Sequence, residues 1–587
     1  MTWPSTEPAR QVERGQRMPT LIERIACKLA HLHAGRVYRQ FLRAVDNTPH
    51  EQARALRRAL RVIDGSDFAR RYQLTPDTAA ADLRRMVPLC GYEALRPYIE
   101  RVWAGEVRAL FRARSPILMF VTSSGTTAKA KLIPVTREFV RDYRRGWNVF
   151  GLKMLTDHAA AVLRPILQVT SRYDGRRSPV GIPCGAITGL LAKMQKRIVR
   201  RFYVGPPEVA NIPDALARYY TLMRLGIARD VSFAITANPA TLIQMARTAA
   251  QESEELIRDV ADGSLSRRLV PDKALRDRLA AGLKPDRSRA AELERLRAAY
   301  DTLRPRDYWK LSFLACWTGG SLEHYLDTLR SWYGDIPIRD IGLLASEGRV
   351  TIPFEDGVPA GALDVTAAFF EFIPIECCDQ EQPQTLLASE LETGQDYAVV
   401  LTNTAGLVRY RLDDVVRVHG WLGKAPVLEF LYRAGRVASV AGEKLTEHHC
   451  AAAVRNVCQA FKLPELDFVL APCWGDPPYY RLSCEVKLSA AQVEALDREL
   501  GVQNEEYASR RASMRLGAVQ LRLLPPGSLA AMDNKMMKAR GAVAEQYKRV
   551  YLLTKPGDDD GILTTMRHAP RQNAGAFQSA VPARGGA

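Results

Sequence analysis

Hydrophobic positions early in the chain repeat at helical intervals among arginines. Leu56, Leu60 and Ile63 share one face and Gly65 supplies a stop signal, so residues up to about 115 read as helices. From there the pattern alternates. Residues 115–121 form a short apolar run ending in a polar loop. Residues 213–227 have a helical period, 231–239 read as a strand stopped by Pro239, and 240–260 return to a helix. Residues 286–303 place Leu293, Leu296, Tyr300 and Leu303 on one helical face, and 311–321 read as a buried strand entering a glycine-rich turn. Strands alternating with helices predict an α/β fold with sheets covered on both faces and ligands held beyond the strand ends.

After about residue 435 the pattern restarts. A helix over 446–461 precedes strands at 466–472 and 480–488; Ser489 caps a helix to residue 500, and a last strand at 518–527 stops at Pro-Pro-Gly. The expected organisation is a large N-terminal α/β domain over 1–434 and a smaller C-terminal α+β domain over 435–555. A disordered tail is expected over 556–587, where Gly, Pro, Ala and charge mix without a period.

Composition narrows the functional classes. With 587 residues, 47% of them apolar and 25% charged, the chain belongs with folded proteins rather than disordered or fibrous ones. No run approaches the ~18 apolar residues of a membrane span, and the first twenty residues lack the apolar centre of a secretory signal. The net charge of +18 invites a nucleic-acid partner. Its arginines, however, are scattered along helical faces, as at 54–62, which suits a solvated surface with a general attraction for phosphates and carboxylates. Neither nucleic acid nor a membrane is expected as a partner. Ten cysteines without a Cys-x-x-Cys pair argue against a disulfide framework or a zinc site and for a reducing, cytoplasmic compartment.

Four segments carry chemistry. The first runs from Val121 to Pro134: Ser123, Ser124, Gly125, Thr126 and Thr127 let backbone N–H groups and hydroxyls face an anion, and Lys131 adds a movable positive charge. Its order is not that of a Walker loop, and an ordinary polar loop would carry the same residue types. The second, Gly342 to Gly348, follows a strand read over 336–344 and offers Ser346 and Glu347 at its end, suited either to a phosphate with its metal ion or to a plain surface turn. In the third, Thr404 to Val416, Arg409 and Arg411 precede Asp413 and Asp414; a carboxylate there can accept ribose hydroxyls or simply pair with an arginine. The fourth, Gly435 to Glu447, is a glycine-containing connection at the domain junction.

Taken in order, these four segments resemble the acyl-adenylate-forming enzymes, and most closely the auxin-responsive GH-three acyl-acid amido synthetases. Residues 367–374, 402–418, 424–433 and 541–553 carry the branch-specific likeness, which spans about 20 to 553. The resemblance implies that a carboxylic acid attacks the α-phosphate of ATP, giving an acyl-adenylate that an amine, usually of an amino acid, converts to an amide. It implies nucleotide contacts at Ser123, Ser124, Gly125, Thr126, Thr127, Lys131, Ser346, Glu347, Asp414 and Arg436. Magnesium is implied at Glu347, and catalytic roles at Glu347, Lys444 and Lys548, the last on a small domain that rotates between half-reactions. The acid site is implied near residues 170–191, with Arg172, and near the turn bearing Thr318 and Gly319.

Departures from the pattern are specific. Leu343 stands where an adenine-stacking aromatic is expected, Asp413 where the Tyr-Arg-x-Gly-Asp pattern has glycine, and Ala128 where many relatives have glycine. Leu343 implies an altered nucleotide fit, and Asp413 an added negative charge beside the ribose. Two alternatives stay open: transfer of the acyl group to coenzyme A or a carrier thiol, and a non-catalytic member that binds acid or nucleotide. His448-His449 and Cys377-Cys378 are assigned to structure, and a monomer or weak homodimer is expected.

Overall fold

The computed structural model describes residues 21–560 apart from 124–130, 196, 320–321, 323–324, 379, 434–436, 465 and 540–549. Its N-terminal quarter is helical. Helix Thr48–Ile63 buries Leu56, Leu60 and Ile63, the face the spacing predicts. From that face Gln52 donates to the carbonyls of Val365 and Ala368 (3.0 and 2.9 Å) and accepts from Phe370 N (2.8 Å). Those three bonds pin the helical region to an antiparallel seven-stranded sheet, because a buried amide must place its donors and its acceptor.

That sheet runs in the order Thr351–Ile352, Ala360–Leu363, Ala425–Arg433, Tyr410–Leu422, Asp396–Thr402, Phe369–Pro374 and Leu386–Leu387. A parallel sheet of Ile166–Gln168, Phe233–Ile235, Phe313–Ala315 and Ile338–Arg339 has its crossovers in helices such as Ala215–Ile227 and Pro239–Gln251. Parallel strands require such crossovers, and the helices bury the sheet's faces. A third sheet orders Lys131–Thr136, Ile117–Ser123, Pro183–Gly185 and Arg176–Arg177. A separate apolar cluster extends from Ala438 to Leu552 around the sheet Phe468–Cys473, Tyr479–Cys484 and Gln520–Leu523. The chain is thus α/β, with a large N-terminal part and a smaller α+β C-terminal part.

Several local expectations change. The helix expected over 240–260 is two: Pro239–Gln251, and Ser253–Asp262, whose first turn holds Glu254 and Glu255 where negative charge suits the dipole. Tyr300, expected on a buried face, is exposed. It is the last residue of its helix, and Asp301 then turns left-handed (φ 56°) so that Leu303 reaches the core without it. The strand read over 336–344 shrinks to Ile338–Arg339 because Asp340 and Gly342 (φ 86°) form a turn. Asp559, in the segment expected to be a structureless tail, is buried and pairs with Arg481 and Arg522 (2.9 and 3.0 Å); residues 561–587 lie outside the described residues. No helix among the described residues is long and apolar enough to cross a membrane.

Candidate active site

Strand Ile117–Ser123 pairs antiparallel with Lys131–Thr136, and the register sets Ser123 opposite Lys131. Ser123 and Lys131 are thus the last described pair of these two strands next to the hydroxyl-rich segment, and the lysine stands in that pair. Ser124, Gly125, Thr126 and Thr127 lie outside the described residues, as do Arg436 and Lys548. Lys131 is only 8% exposed. Its ammonium donates to the Tyr410 hydroxyl (3.4 Å) and lies over the rings of Tyr92 and Tyr410, 5.7 and 6.0 Å from their centroids. Tyr92 is held in turn by Leu132, whose N–H donates to its hydroxyl at 2.8 Å. Aromatic faces stabilise a cation that has lost much of its water.

Glu347 arrives from another part of the chain. Leu344–Ala345 and Gly348–Arg349 pair with Ala345 opposite Gly348, so Ser346 and Glu347 form a two-residue hairpin tip. Asn403 fixes that tip by donating to the Glu347 carbonyl at 2.6 Å. The Glu347 side chain is 4% exposed, and its Oε1 accepts from the Tyr410 hydroxyl at 3.4 Å. Its Oε2 has no hydrogen-bond partner among the described residues. One phenol thus bridges an ammonium and a carboxylate that do not form a direct ion pair. A cation beside a carboxylate oxygen left open is a donor set that suits a triphosphate and its magnesium ion.

Asp414 lies at a bulge. Ala398 pairs with Val415 and Val400 with Arg411, so three residues face the single Val399. The extra residues are absorbed by Asp413 at φ 61°, a conformation glycine adopts without strain, which explains a glycine preference there. The bulge turns the Asp414 side chain inward and buries it. The Asp413 carboxylate is drawn off by Arg411 Nε (3.2 Å), so its charge is partnered.

The turn expected to carry substrate contacts is stitched to the segment expected beside adenine by one buried acid. Asp340 Oδ2 accepts from Thr318 N (2.7 Å) and Thr318 Oγ1 (2.9 Å), and its Oδ1 from Gly342 N (2.6 Å). Burial pushes the Asp340 carboxyl up, and these donors pull it back. Trp317 Nε1 also donates to the Gly342 carbonyl (2.8 Å). Gly319 packs tightly: a Cβ there would stand 3.2 Å from Pro359 Cβ. Leu343 is partly buried and packs on the main core. Arg172 is half-exposed with Asp174 3.8 Å away, and its carbonyl accepts from Ala186 N at 2.8 Å.

Lys444 sits at φ 50° on a loop locked in the small domain. The neighbouring Glu443 is fully buried and accepts from Val440 N (2.9 Å), Ala441 N (2.8 Å) and the Tyr480 hydroxyl. Burial raises its carboxyl above the usual range. Asn504 Nδ2 donates to the carbonyls of Glu443 and Lys444 (2.9 and 3.2 Å). His449 is buried with Nδ1 facing Thr446 N and Asn504 Nδ2, each at 3.3 Å, a structural use.

Lys131, Glu347 and the tyrosine four residues before Asp414 therefore converge, although Lys131 lies more than two hundred positions from the other two, which are themselves 63 apart. The residues that sequence reasoning passed over are Tyr410, Tyr92, Asn403 and Asp340. Tyr410 and Asn403 stand inside the phrase 402–418, so a signal was present; a lone tyrosine or aspartate in a helix or turn carries none.

Three family models match the chain in order. They are the GH3 family N-terminal domain over residues 37–338, the GH3 family central domain over 361–433 and the GH3 family C-terminal domain over 448–556. Among curated relatives, a jasmonoyl–L-amino acid synthetase of Nicotiana attenuata is 25% identical over 85% of this chain and 90% of its own. An indole-3-acetic acid-amido synthetase of Arabidopsis thaliana is 25% identical over 86% and 92%. Among solved structures, the GH3.15 acyl acid amido synthetase superposes with a TM-score of 0.62 at 19% identity, covering 90% of this chain and 95% of that one.

Proposed function

This chain belongs to the GH3 family, and we propose that it activates a carboxylic acid with ATP and passes the acyl group to an amine, most simply that of an amino acid. An oxygen of the acid attacks the α-phosphorus, the bond to pyrophosphate breaks, and an acyl-adenylate forms. The amine nitrogen then attacks the carbonyl carbon, loses a proton, and AMP leaves with the C–O bond electrons. The observation that carries this is the buried Lys131–Tyr410–Glu347 contact, which brings three distant segments to one point. The names of the curated relatives, synthetases joining an acid to an amino acid, support the same chemistry.

In this scheme Lys131 and the loop Ser123–Thr127 hold the phosphates, Asp414 and Arg436 the ribose side, and Ser346 the adenylate. Glu347 would hold magnesium, which, when bound, draws charge from the phosphates. Preorganised positive charge at the departing pyrophosphate is worth most in a site from which water is excluded. Lys548 serves the first step, Lys444 contacts phosphate from the hinge, and Arg172, Thr318 and Gly319 border the acid.

Acid-dependent exchange of labelled pyrophosphate into ATP tests the first step. Wild-type protein should exchange label with a cognate acid, and Lys131→Met should lose at least about 100-fold, in line with removal of one preorganised charge. No exchange with any of a broad set of carboxylic acids would sink the proposal and leave the non-catalytic alternative. Product mass after adding amino acids or coenzyme A then separates amide from thioester.

A further inference from the structure

The small domain rests on helix Pro239–Gln251 through polar contacts. Asn238 Nδ2 donates to Ala441 O (2.9 Å), Gln244 Nε2 to Met514 O (2.8 Å) and an Arg515 guanidinium nitrogen to Thr241 Oγ1 (3.1 Å), while Arg247 pairs with Asp476 at 2.6 Å. Among these contacts lies a cleft of about 200 Å³. Gln244, Arg247 and Tyr325 line it from the large domain, and Trp474, Asp476 and Arg515 from the small one. Pockets for drug-sized ligands occupy about 300–1,000 Å³, so this one suits something smaller.

Its charge is unbalanced. Arg515 Nε donates to Ser513 Oγ (2.9 Å), one terminal nitrogen reaches Thr241, and the other has no partner among the described residues. Among the described residues no carboxylate pairs with Arg515. Arg510 spends its donors on the carbonyls of Ala441 and Gly442, and Arg218 on those of Ile212 and Pro213. The acids at hand are committed: Asp476 to Arg247, and Glu443 to Tyr480 and two backbone N–H groups. Burial and the like charges of Arg510 and Arg218 push Arg515 down to about 10. Gathering positive charge at a desolvated interface without a counterion is costly, and an anion removes that cost.

We propose that this interdomain cleft binds a small anion through Arg515 and Arg247, taking a phosphate or carboxylate group and fastening the small domain in this arrangement. The site is separate from Lys131 and Glu347 and does not depend on which acyl acceptor the protein uses.

The test is calorimetric titration of the full chain in low-chloride buffer with inorganic phosphate and, separately, with succinate. Wild-type protein and Lys131→Met should both bind one of them saturably, and Arg515→Gln should bind at least tenfold more weakly. The tighter of the two names the group recognised. Binding should also slow amide hydrogen exchange over 239–247 and 474–478. Free of anion, Arg515→Gln should melt no lower than wild type, because a repelled charge has been removed. Equal binding by Arg515→Gln, or no saturable binding of either anion, overturns the proposal. So does a large fall in its melting temperature, which would make Arg515 a structural support. Loss of binding in Lys131→Met alone would move the anion to the hydroxyl-rich segment, overturning the cleft while leaving the reaction scheme intact.

Discussion

Tyr410, 1% exposed, places one hydroxyl between a buried ammonium and a buried carboxylate. Without it the two charges are free to close into a contact pair and neutralise each other, leaving neither for a ligand. Tyr410→Phe keeps the ring and removes two long bonds to charged groups (3.4 Å each), taken together as about one full-strength bond of this kind, about 1.5–3 kcal/mol. The expected outcome is a roughly 10- to 150-fold weaker equilibrium binding of MgATP at unchanged fold, by the same arithmetic. An unaltered binding constant would show the hydroxyl to be idle. Asp413 poses a backbone question instead. At φ 61° a β-branched residue is strained, so Asp413→Val should cost about 1–2 kcal/mol in denaturant midpoints, whereas Asp413→Gly should be neutral or stabilising. Equal stability of the two variants would show that the bulge relaxes. The sequence marked Asp413 as out of pattern, but only the bulge tells why glycine is preferred and where the extra charge goes.

Single side chains also decide how elements meet. Asn504 caps helix Glu505–Ala512 by accepting from Tyr507 N, and with its amide holds the carbonyls of Glu443 and Lys444. Asn504→Ala removes a cap worth about 1 kcal/mol and leaves buried carbonyls unpaired at about 1–3 kcal/mol. The expected result is a loss of about 2–4 kcal/mol, checked by chemical denaturation, with faster amide exchange in the loop 440–444. A loss confined to the cap value would show that this loop holds itself. The same scale shows what periodicity misses. The 240–260 stretch keeps a helical period throughout, yet the chain restarts a helix at Ser253, because a period is blind to a one-residue break. The 336–344 run is apolar enough for a strand, but Asp340 takes three donors from the turns around it and ends the strand at Arg339.

Across the whole molecule, the helical region, the large sheet and the motif strand meet at one buried carboxylate, Glu371, which pairs with Arg409 and, at 3.4 Å, with Arg84. Arg409 donates to both Glu371 oxygens (3.1 and 3.0 Å) and to the carbonyls of Arg84 and Val87 (3.0 and 2.7 Å), while Thr385 donates to Glu371 Oε1 at 2.6 Å. Breaking such a pair by removing one partner costs about 3–5 kcal/mol, because the other charge stays buried. With Arg84 still beside Glu371, Arg409→Met should lower stability by up to about that amount in equilibrium unfolding, and Arg409→Met with Glu371→Leu should recover a large part of it. Failure of the double variant to recover would show that the backbone contacts, not the charges, carry the loss.

The order of the segments, the helical start, the α/β alternation and the restart near residue 435 can be read along the chain alone. These depend on local period and on residue types at short spacing, which the chain carries wherever it is placed. It also named Lys131 and Glu347, because each stands in a short phrase with its own chemistry. That Tyr410 joins them, that Tyr92 shields the lysine and that arginines from two domains meet at one cleft emerges from the fold. Contacts between residues hundreds of positions apart follow from sheet register and packing, and no window along the chain encodes which side chains those bring within hydrogen-bond reach.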